Sequence, residues 1–111
     1  MIFIVVKFKV LPDYKNTWLS ITREFSTNTR AEEGNLWYQW SRSVDHDDEY
    51  FLVEAFRDSQ AGEVHVASEH FRKGLEAMRP GLAETPHIIH TEIPGTDWSR
   101  MSELAIEATS R

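Results

Sequence analysis

His65 is the residue of this 111-residue sequence best placed for acid–base chemistry. It follows Val64 at the edge of an apolar helical stripe, where a side chain can line a space between helix and sheet. An ordinary histidine pKa of about 6.5 suits a general base near neutral pH. The alternative interpretation is a histidine that hydrogen-bonds a carbonyl group and fills space.

Glu54 is the second titratable residue in an unusual setting. It lies at the centre of the apolar run FLVEAF, where a carboxylate must find a partner or have a raised pKa. Arg42 or His90 on another strand would be such a partner. A structural role for Glu54 is therefore as open as a catalytic one.

The histidines do not show a spacing that is typical of a metal site. On one continuous helix, the five residues from His65 to His70 would rotate the two side chains about 140° apart. His87 and His90 are three residues apart in a predicted strand, which places them on opposite faces of the sheet. We therefore expect no metal ion, although a site assembled from residues distant in sequence stays open.

Six aromatic residues could line a pocket for a flat ligand. Core packing is the ordinary explanation for most of them. Trp and Tyr, however, also carry N–H and O–H donors, which a purely structural core uses less often than Leu or Ile. The candidates come from the first predicted helix, the second strand and the second helix: Trp18, Phe25, Trp37, Tyr38, Trp40 and Phe71.

The composition excludes several classes of chemistry. No cysteine is present, which rules out disulfides, thiolate metal sites, iron–sulfur clusters and a cysteine nucleophile. The glycine-rich signatures of nicotinamide and phosphate binding and the GxSxG signature of serine hydrolases are also missing. Flavin binding has no single motif and stays open. A formal charge of −6 argues against a nucleic-acid partner.

The apolar start MIFIVV spans six residues and is followed, not preceded, by Lys7. It is too short for a membrane span, which needs about 20 apolar residues, and it lacks the charge order of a signal peptide. We expect a cytoplasmic protein with no membrane partner.

The elements that must position these residues follow the order β-α-β-β-α-β. Runs of β-branched and aromatic residues predict four strands, at Ile2–Val10, Asn35–Val44, Glu49–Arg57 and Pro86–Ile93. This order is typical of an α+β domain with a ferredoxin-like fold. We expect that domain to cover residues 1–95, with residues 96–111 forming an extension that carries a short terminal helix.

Two amphipathic helices join these strands. The first begins at Pro12-Asp13, and its predicted buried stripe consists of Tyr14, Trp18, Ile21 and Phe25. The second runs from Asp58 or Ser59 to about Arg79. Its predicted stripe consists of Ala61, Val64, Phe71, Leu75 and Met78, with Ser68 in the same row.

Both faces of the predicted strands carry large apolar side chains, as Phe3 opposite Ile4 and Trp37 opposite Tyr38 illustrate. In a two-layer domain the helices cover only one face of the sheet, so a second apolar face should meet a partner. The sequence therefore predicts a homodimer formed through the sheet, which also enlarges the core of a small domain.

The segment YFLVEAFRDSQAGEVHVASEHF resembles the antibiotic biosynthesis monooxygenase family, in its quinol-monooxygenase-like group. The family pattern is a strand with Glu, an aromatic residue two positions on, an acidic or Ser cap, Ala, a central His, and Ser-x-His-Phe. The matching residues are Glu54, Phe56, Asp58-Ser59, Ala61, His65, Ser68, His70 and Phe71. Glu33-Gly34, before the strand with Tyr38, is similar too, and the resemblance spans about residues 1–95.

This resemblance implies a homodimer in which two ferredoxin-like sheets pack into an α+β barrel. It also implies that O₂ oxidises a small quinol or a polyphenolic, polyketide-like aromatic without a cofactor, in a pocket between sheet and helices. His65 would be the base, and Glu54 its orienter or a second acid–base group. The aromatic candidates, with Trp37, Tyr38, Trp40 and Phe71 foremost, would form the slot.

The resemblance leaves other functions open. Haem-degrading enzymes of the same fold have Trp at the position of His65 and His at that of Leu75, which disfavours haem degradation. Isomerases of this fold act on small phosphorylated sugars or ketones, and His65 with Glu54 would serve enolisation equally well. A dimeric ligand-binding domain without turnover is the third alternative.

Overall fold

Four antiparallel strands form a single sheet in the computed structural model, which describes residues 1–106. Their order across the sheet is β2-β3-β1-β4. The strands lie at Ile2–Lys9 (β1), Asn35–Arg42 (β2), Glu49–Phe56 (β3) and His87–Glu92 (β4). With a helical segment between β1 and β2 and another between β3 and β4, this topology confirms the predicted α+β ferredoxin-like fold.

The helical segments cover one face of the sheet. The first comprises a 3₁₀ turn at Pro12–Tyr14, α1 at Trp18–Ile21 and α2 at Arg23–Arg30. The second comprises α3 at Ser59–Val66, α4 at Glu69–Met78 and a 3₁₀ turn at Arg79–Gly81. Between helices and sheet lies the buried core of Val6, Phe8, Val10, Trp18, Phe25, Tyr38, Tyr50, Leu52 and Met78.

The predicted second helix is interrupted, and this break matters for the site. Ser68 caps the start of α4, because its hydroxyl accepts the N–H of Phe71 at 3.1 Å and donates to the carbonyl of His65 at 2.6 Å. The prediction of one continuous stripe is therefore wrong in part. Val64 is 60% exposed and Leu75 is also exposed, although Ala61 and Met78 are buried as expected. The predicted cap at Asp58 is confirmed, since its carboxylate accepts the N–H of Ala61 at 2.8 Å.

The first predicted helix is divided as well. Thr22 separates α1 from α2, and its hydroxyl donates to the carbonyl of Trp18 at 3.1 Å, a side-chain bond that bends helices. Trp18 and Phe25 of the predicted stripe are nevertheless buried.

The second strand ends earlier than predicted. Its last residue is Arg42, and Val44 lies in the hairpin turn, 99% exposed. The turn begins here because the Ser43 hydroxyl accepts the backbone N–H groups of Asp45 and His46, both at 3.1 Å. A register shift between Asn35 and Trp37 interrupts the start of the same strand.

The segment after β4 carries apolar side chains that remain exposed, namely Trp98, Met101, Leu104 and Ile106. Of the short terminal helix predicted for the extension, the structure has a 3₁₀ turn at Ser102–Leu104 within residues 96–106. Its remainder falls on residues 107–111, outside the described part of the chain. Trp98 packs on Trp37, with ring centroids 5.2 Å apart. None of the helices in residues 1–106 combines the length and apolar character needed to cross a membrane.

Gly74 of α4 packs directly on the ring of Phe25. A Cβ at this position would lie 2.6 Å from Phe25 Cγ, whereas a Cβ at Gly62 of α3 would meet no atom within 4 Å. We expect Gly74→Ala to lower the free energy of unfolding by about 1–3 kcal/mol. Gly62→Ala should raise it by about 0.5–1 kcal/mol, because alanine stiffens the unfolded chain. Urea unfolding of both variants tests this, and equal effects would contradict the packing argument.

Candidate active site

Three polar side chains from separate elements meet between the helices and the sheet. Glu32 lies in the loop after α2, where its N–H donates to the carbonyl of Thr29 at 3.0 Å and its own carbonyl accepts from Asn35 at 3.1 Å. His65 lies in the last turn of α3, and His70 in the first turn of α4. The helix break at Ser68 turns both imidazoles toward Glu32.

A single carboxylate oxygen joins the two histidines. Glu32 Oε2 accepts a hydrogen bond from His65 Nδ1 at 2.8 Å and another from His70 Nε2 at 2.5 Å. The expectation that His65 and His70 point about 140° apart is therefore wrong, since it assumed one continuous helix. A neutral imidazole that donates from Nδ1 has a free lone pair on Nε2. Glu32 thus orients His65 so that Nε2 can act as a base.

Glu54 lies on the other side of the His65 ring. Its Oε1 is 3.9 Å from His65 Nε2, and both residues are only 5% exposed. Neither predicted partner pairs with it. Arg42 donates instead to the Asp47 carbonyl and the Asn16 side chain, and His90 is separated from Glu54 by Ile4 of the intervening strand.

The electrostatics of the site favour neutral forms of its buried groups. Burial raises the pKa of Glu54 to about 7, and the nearby charge of Glu32 adds to the effect. Burial also lowers the pKa of His65, against the opposing effect of its hydrogen bond to Glu32. The pKa of Tyr38 is raised, first by burial and then by the charge of Glu54. At neutral pH the site thus holds an uncharged imidazole beside a carboxyl group close to its midpoint.

Aromatic rings fix the plane of the His65 imidazole. Phe25 stacks on it at 5.7 Å with an interplanar angle of 14°, and Phe56 packs at 4.7 Å. Phe71 meets its edge at 5.1 Å. These rings also exclude water, so the charge of Glu32 acts in an apolar environment. Phe56 was not among the predicted site residues, although its position two residues after Glu54 places it on the same face of β3.

The structure divides the predicted aromatic slot. Phe25 and Phe71 contact His65, and Tyr38 joins them through Phe25 at 5.8 Å. Trp18 and Trp40 form a neighbouring cluster, 6.0 Å apart. Trp37 lies on the opposite face of the sheet, so it does not join the other five candidates. Tyr38 pairs with Glu54 on the helix-covered face, and its neighbour Trp37 points to the opposite face because side chains alternate along a strand.

Several buried donors have no hydrogen-bond partner among the described residues, and two of them belong to predicted site residues that lie between the helices and the sheet. They are the hydroxyl of Tyr38 and the indole Nε1 of Trp18. Buried polar groups are normally hydrogen-bonded, and neighbouring Trp40 does donate from Nε1 to Ser26 Oγ at 2.9 Å. Tyr38 and Trp18 thus each keep a donor that no described residue accepts.

Two openings lead toward the site. A depression of about 270 Å³ ends at Glu32, between the loop at Gly34 and helix α3. A smaller cavity of about 50 Å³ lies beside His70, between α2 and α4. The second is large enough for one molecule of the size of water or O₂. Glu32 and His70 thus each line an opening, whereas His65 lines neither of these two.

The sequence pointed to His65 and Glu54 but not to Glu32, the residue that connects His65 and His70. The composition of residues 31–34, AEEG, is typical of a polar connection and does not set Glu32 apart from Glu33. The available signal was Glu33-Gly34, which matches the family pattern and directly follows Glu32. A loop glutamate gives no periodicity by which a buried position could be recognised.

Comparisons with known proteins agree with this architecture. The family model described as "Antibiotic biosynthesis monooxygenase" matches residues 1–77. A curated relative from Bacillus subtilis (strain 168), "Putative monooxygenase YcnE", is 29% identical over 94 residues, which cover 84% of this chain and 98% of the relative.

Solved structures share the fold at lower identity. "Putative antibiotic biosynthesis monooxygenase from Nitrosomonas europaea" is 19% identical with a TM-score of 0.79, and the match covers 86% of this chain and 100% of that one. A structure of the same description from Caulobacter crescentus CB15 is 24% identical with a TM-score of 0.79, covering 85% and 90%. The family match extends over more than half of the sequence, and this chain belongs to the antibiotic biosynthesis monooxygenase family.

Proposed function

We propose that this protein is a cofactor-independent monooxygenase that oxidises a small quinol or a polyphenolic, polyketide-like aromatic with O₂. The observation that carries the proposal is the buried arrangement in which Glu32 orients His65 beside Glu54. It offers a positioned base within an aromatic enclosure, which is what a substrate acting as its own reductant requires. Membership of the monooxygenase family and the name of the relative from Bacillus subtilis support the same reaction class.

The substrate supplies the electrons in this reaction. His65 Nε2 accepts a phenolic proton, and the electron-rich phenolate passes one electron to O₂. The two radicals combine to form a C–O bond, and the resulting peroxide loses water. For a quinol the sum is quinol plus O₂ to hydroxyquinone plus H₂O, so one oxygen atom enters the product and the other becomes water.

The surrounding residues assist the charged intermediates. Glu32 stabilises the imidazolium that forms when His65 takes the proton. The unpartnered hydroxyl of Tyr38 can donate to the developing oxyanion. The rings of Phe25 and Phe71 exclude bulk water, which would otherwise solvate the phenolate and slow electron transfer.

Oxygen uptake with a panel of hydroquinones and anthrone-like aromatics tests the proposal. We expect uptake that is stoichiometric with substrate oxidation and that ceases under anaerobic conditions. An isomerase would continue to turn over without O₂. Tight binding of a flat aromatic with no oxygen uptake across the panel would instead indicate a ligand-binding domain.

We also propose a homodimer formed through the uncovered face of the sheet. Ile89 of β4 is exposed on that face, and Phe3, Val5 and Val53 lie beside it only partly buried. Apolar surface of this extent on a small domain is typical of an interface. A partner sheet packed there would give the barrel expected from the sequence.

Val53→Asp should disrupt this dimer. Val53 lies between Val5 and Gln39 at the centre of the uncovered face, and a carboxylate buried there would lack a partner. We expect the dimer dissociation constant to rise at least about 100-fold, an effect of about 3 kcal/mol. Val44→Asp in the exposed hairpin turn is the matched control. Light scattering after size-exclusion chromatography measures both, and two variants that remain equally dimeric would rule out this interface.

A further inference from the structure

We propose that Glu32, His65 and His70 form a binding site for a divalent transition-metal ion of the zinc type. Each residue offers one ligand atom, and these three atoms all lie within 4.8 Å of one another. Two imidazole nitrogens and one carboxylate oxygen are a ligand set that first-row transition metals favour. Three protein ligands would leave a coordination position for water.

The present geometry is close to what a metal ion needs. The two histidine nitrogens lie 2.8 and 2.5 Å from Glu32 Oε2, with their N–H groups directed at that oxygen. Metal–ligand bonds of about 2.0–2.2 Å place neighbouring ligand atoms about 3.3 Å apart. Each imidazole therefore has to withdraw by less than about 1 Å. His70 begins α4 directly after the Ser68 cap, and its side chain is partly exposed toward the small cavity.

A buried oxygen of the cluster independently indicates a missing ligand. Glu32 Oε1 has no hydrogen-bond partner among the described residues, although the Glu32 side chain is only 10% exposed. Within residues 1–106, the ion pairs of Glu32 and Glu54 involve only histidines, with no lysine or arginine. A buried carboxylate without a permanent positive charge beside it is costly, and a divalent cation bound at Glu32 would offset that cost.

Glu54 is a candidate hydrogen-bond acceptor for the ring nitrogen of His65 that does not bind the metal. A histidine that ligates a metal generally donates its other ring N–H to a carboxylate or carbonyl, which fixes its tautomer. If His65 binds through Nδ1, its proton moves to Nε2, which faces Glu54 Oε1 at 3.9 Å. A carboxylate thus lies on that side of the ring, about 1 Å farther away than a hydrogen bond requires.

Metal binding and base catalysis would then exclude each other. An imidazole that binds an ion through Nδ1 and carries its proton on Nε2 cannot accept the proton of a substrate. Zinc would therefore inhibit the oxidation, a consequence that rests on the proposed function. The proposal of a metal site does not depend on the proposed function, because metal binding is measured without substrate.

Calorimetric titration of the chelator-treated full chain, without an affinity tag, with ZnCl₂ tests the site. We expect one Zn²⁺ per chain, and at least about tenfold weaker binding after His70→Gln or Glu32→Gln. His90→Gln removes a histidine outside the cluster and should bind like the wild type. Glu32→Gln keeps a carbonyl oxygen for both histidine N–H bonds, so it is the variant to use if His70→Gln fails to fold.

Co²⁺ provides a spectroscopic readout of the same site. Its visible d–d bands should appear on addition to the wild type and be lost in the cluster variants. Absence of saturable binding, or unchanged Zn²⁺ affinity in both cluster variants, would overturn the proposal. Loss of binding in His90→Gln but not in His70→Gln would overturn it as well, because the ligands would then lie on β4.

Discussion

Replacing His65 by glutamine is expected to lower kcat for the oxidation of a quinol substrate by about 10²–10⁴-fold, the range that a positioned general base contributes. Glutamine can still donate a hydrogen bond toward Glu32, and its volume is close to that of the imidazole. It cannot accept a proton at the position of Nε2. The substrate would then have to lose its phenolic proton to water, which the aromatic enclosure keeps out.

The measurement is initial-rate oxygen uptake at saturating substrate, with product followed by absorbance. His90→Gln on the edge strand is the matched control and should retain wild-type kcat, because β4 lies away from the cluster. Far-UV circular dichroism and a thermal melt establish that both variants fold. Turnover of His65→Gln within a few-fold of the wild type would refute the assignment of the base.

Glu54 is the competing base, since burial raises its pKa to about 7. The two assignments predict different pairs of results. If His65 is the base, His65→Gln loses turnover, whereas Glu54→Gln retains a neutral side chain beside Nε2 and most of the rate. If Glu54 is the base, Glu54→Gln loses turnover, whereas His65→Gln retains most of the rate. Measuring both variants with one substrate therefore separates a base from its neighbour.

Much of the fold could be predicted because the strands carry strong local patterns. The run from Ile2 to Val6 is apolar throughout and the run FLVEAF is apolar apart from Glu54, which is typical of central strands. Element boundaries were less certain where side chains bond the backbone. Thr22 and Ser68 divide the helices by such bonds, which compete with helix continuity. They do not interrupt the spacing of the apolar residues, so the sequence pattern does not show where the helices break.

The site could be predicted only in part, for a related reason. His65 and Glu54 were recognisable as polar residues inside apolar runs. Glu32 lies in a loop, and its burial depends on where α3 and α4 meet. The cap at Ser68 reorients His70 toward Glu32 and cancels the angular separation calculated from the spacing. Such contacts between distant elements are not encoded in any periodicity.

Glu54→Gln is expected to stabilise the protein at alkaline pH by about 3 kcal/mol and to have little effect near pH 4.5. The pKa of Glu54 is raised from 4.5 to about 7 in the folded protein. Below pH 4.5 the carboxyl is protonated in both the folded and the unfolded chain, so folding does not depend on its ionisation. Between pH 4.5 and 7 the unfolded chain ionises first, and the wild type loses stability. Above pH 7 the loss is complete and constant.

Glutamine mimics the protonated carboxyl and cannot ionise, so the variant escapes this loss. Urea unfolding at pH 4.5, 6 and 8, at one protein concentration and with EDTA present, measures the difference. Glu63→Gln on the exposed surface of α3 changes the net charge equally and should show no such dependence. A stability difference between Glu54→Gln and the wild type that stays constant from pH 4.5 to 8 would show that folding does not raise the pKa of Glu54. It would then remove the argument that burial brings this carboxyl close to its midpoint beside His65 at neutral pH.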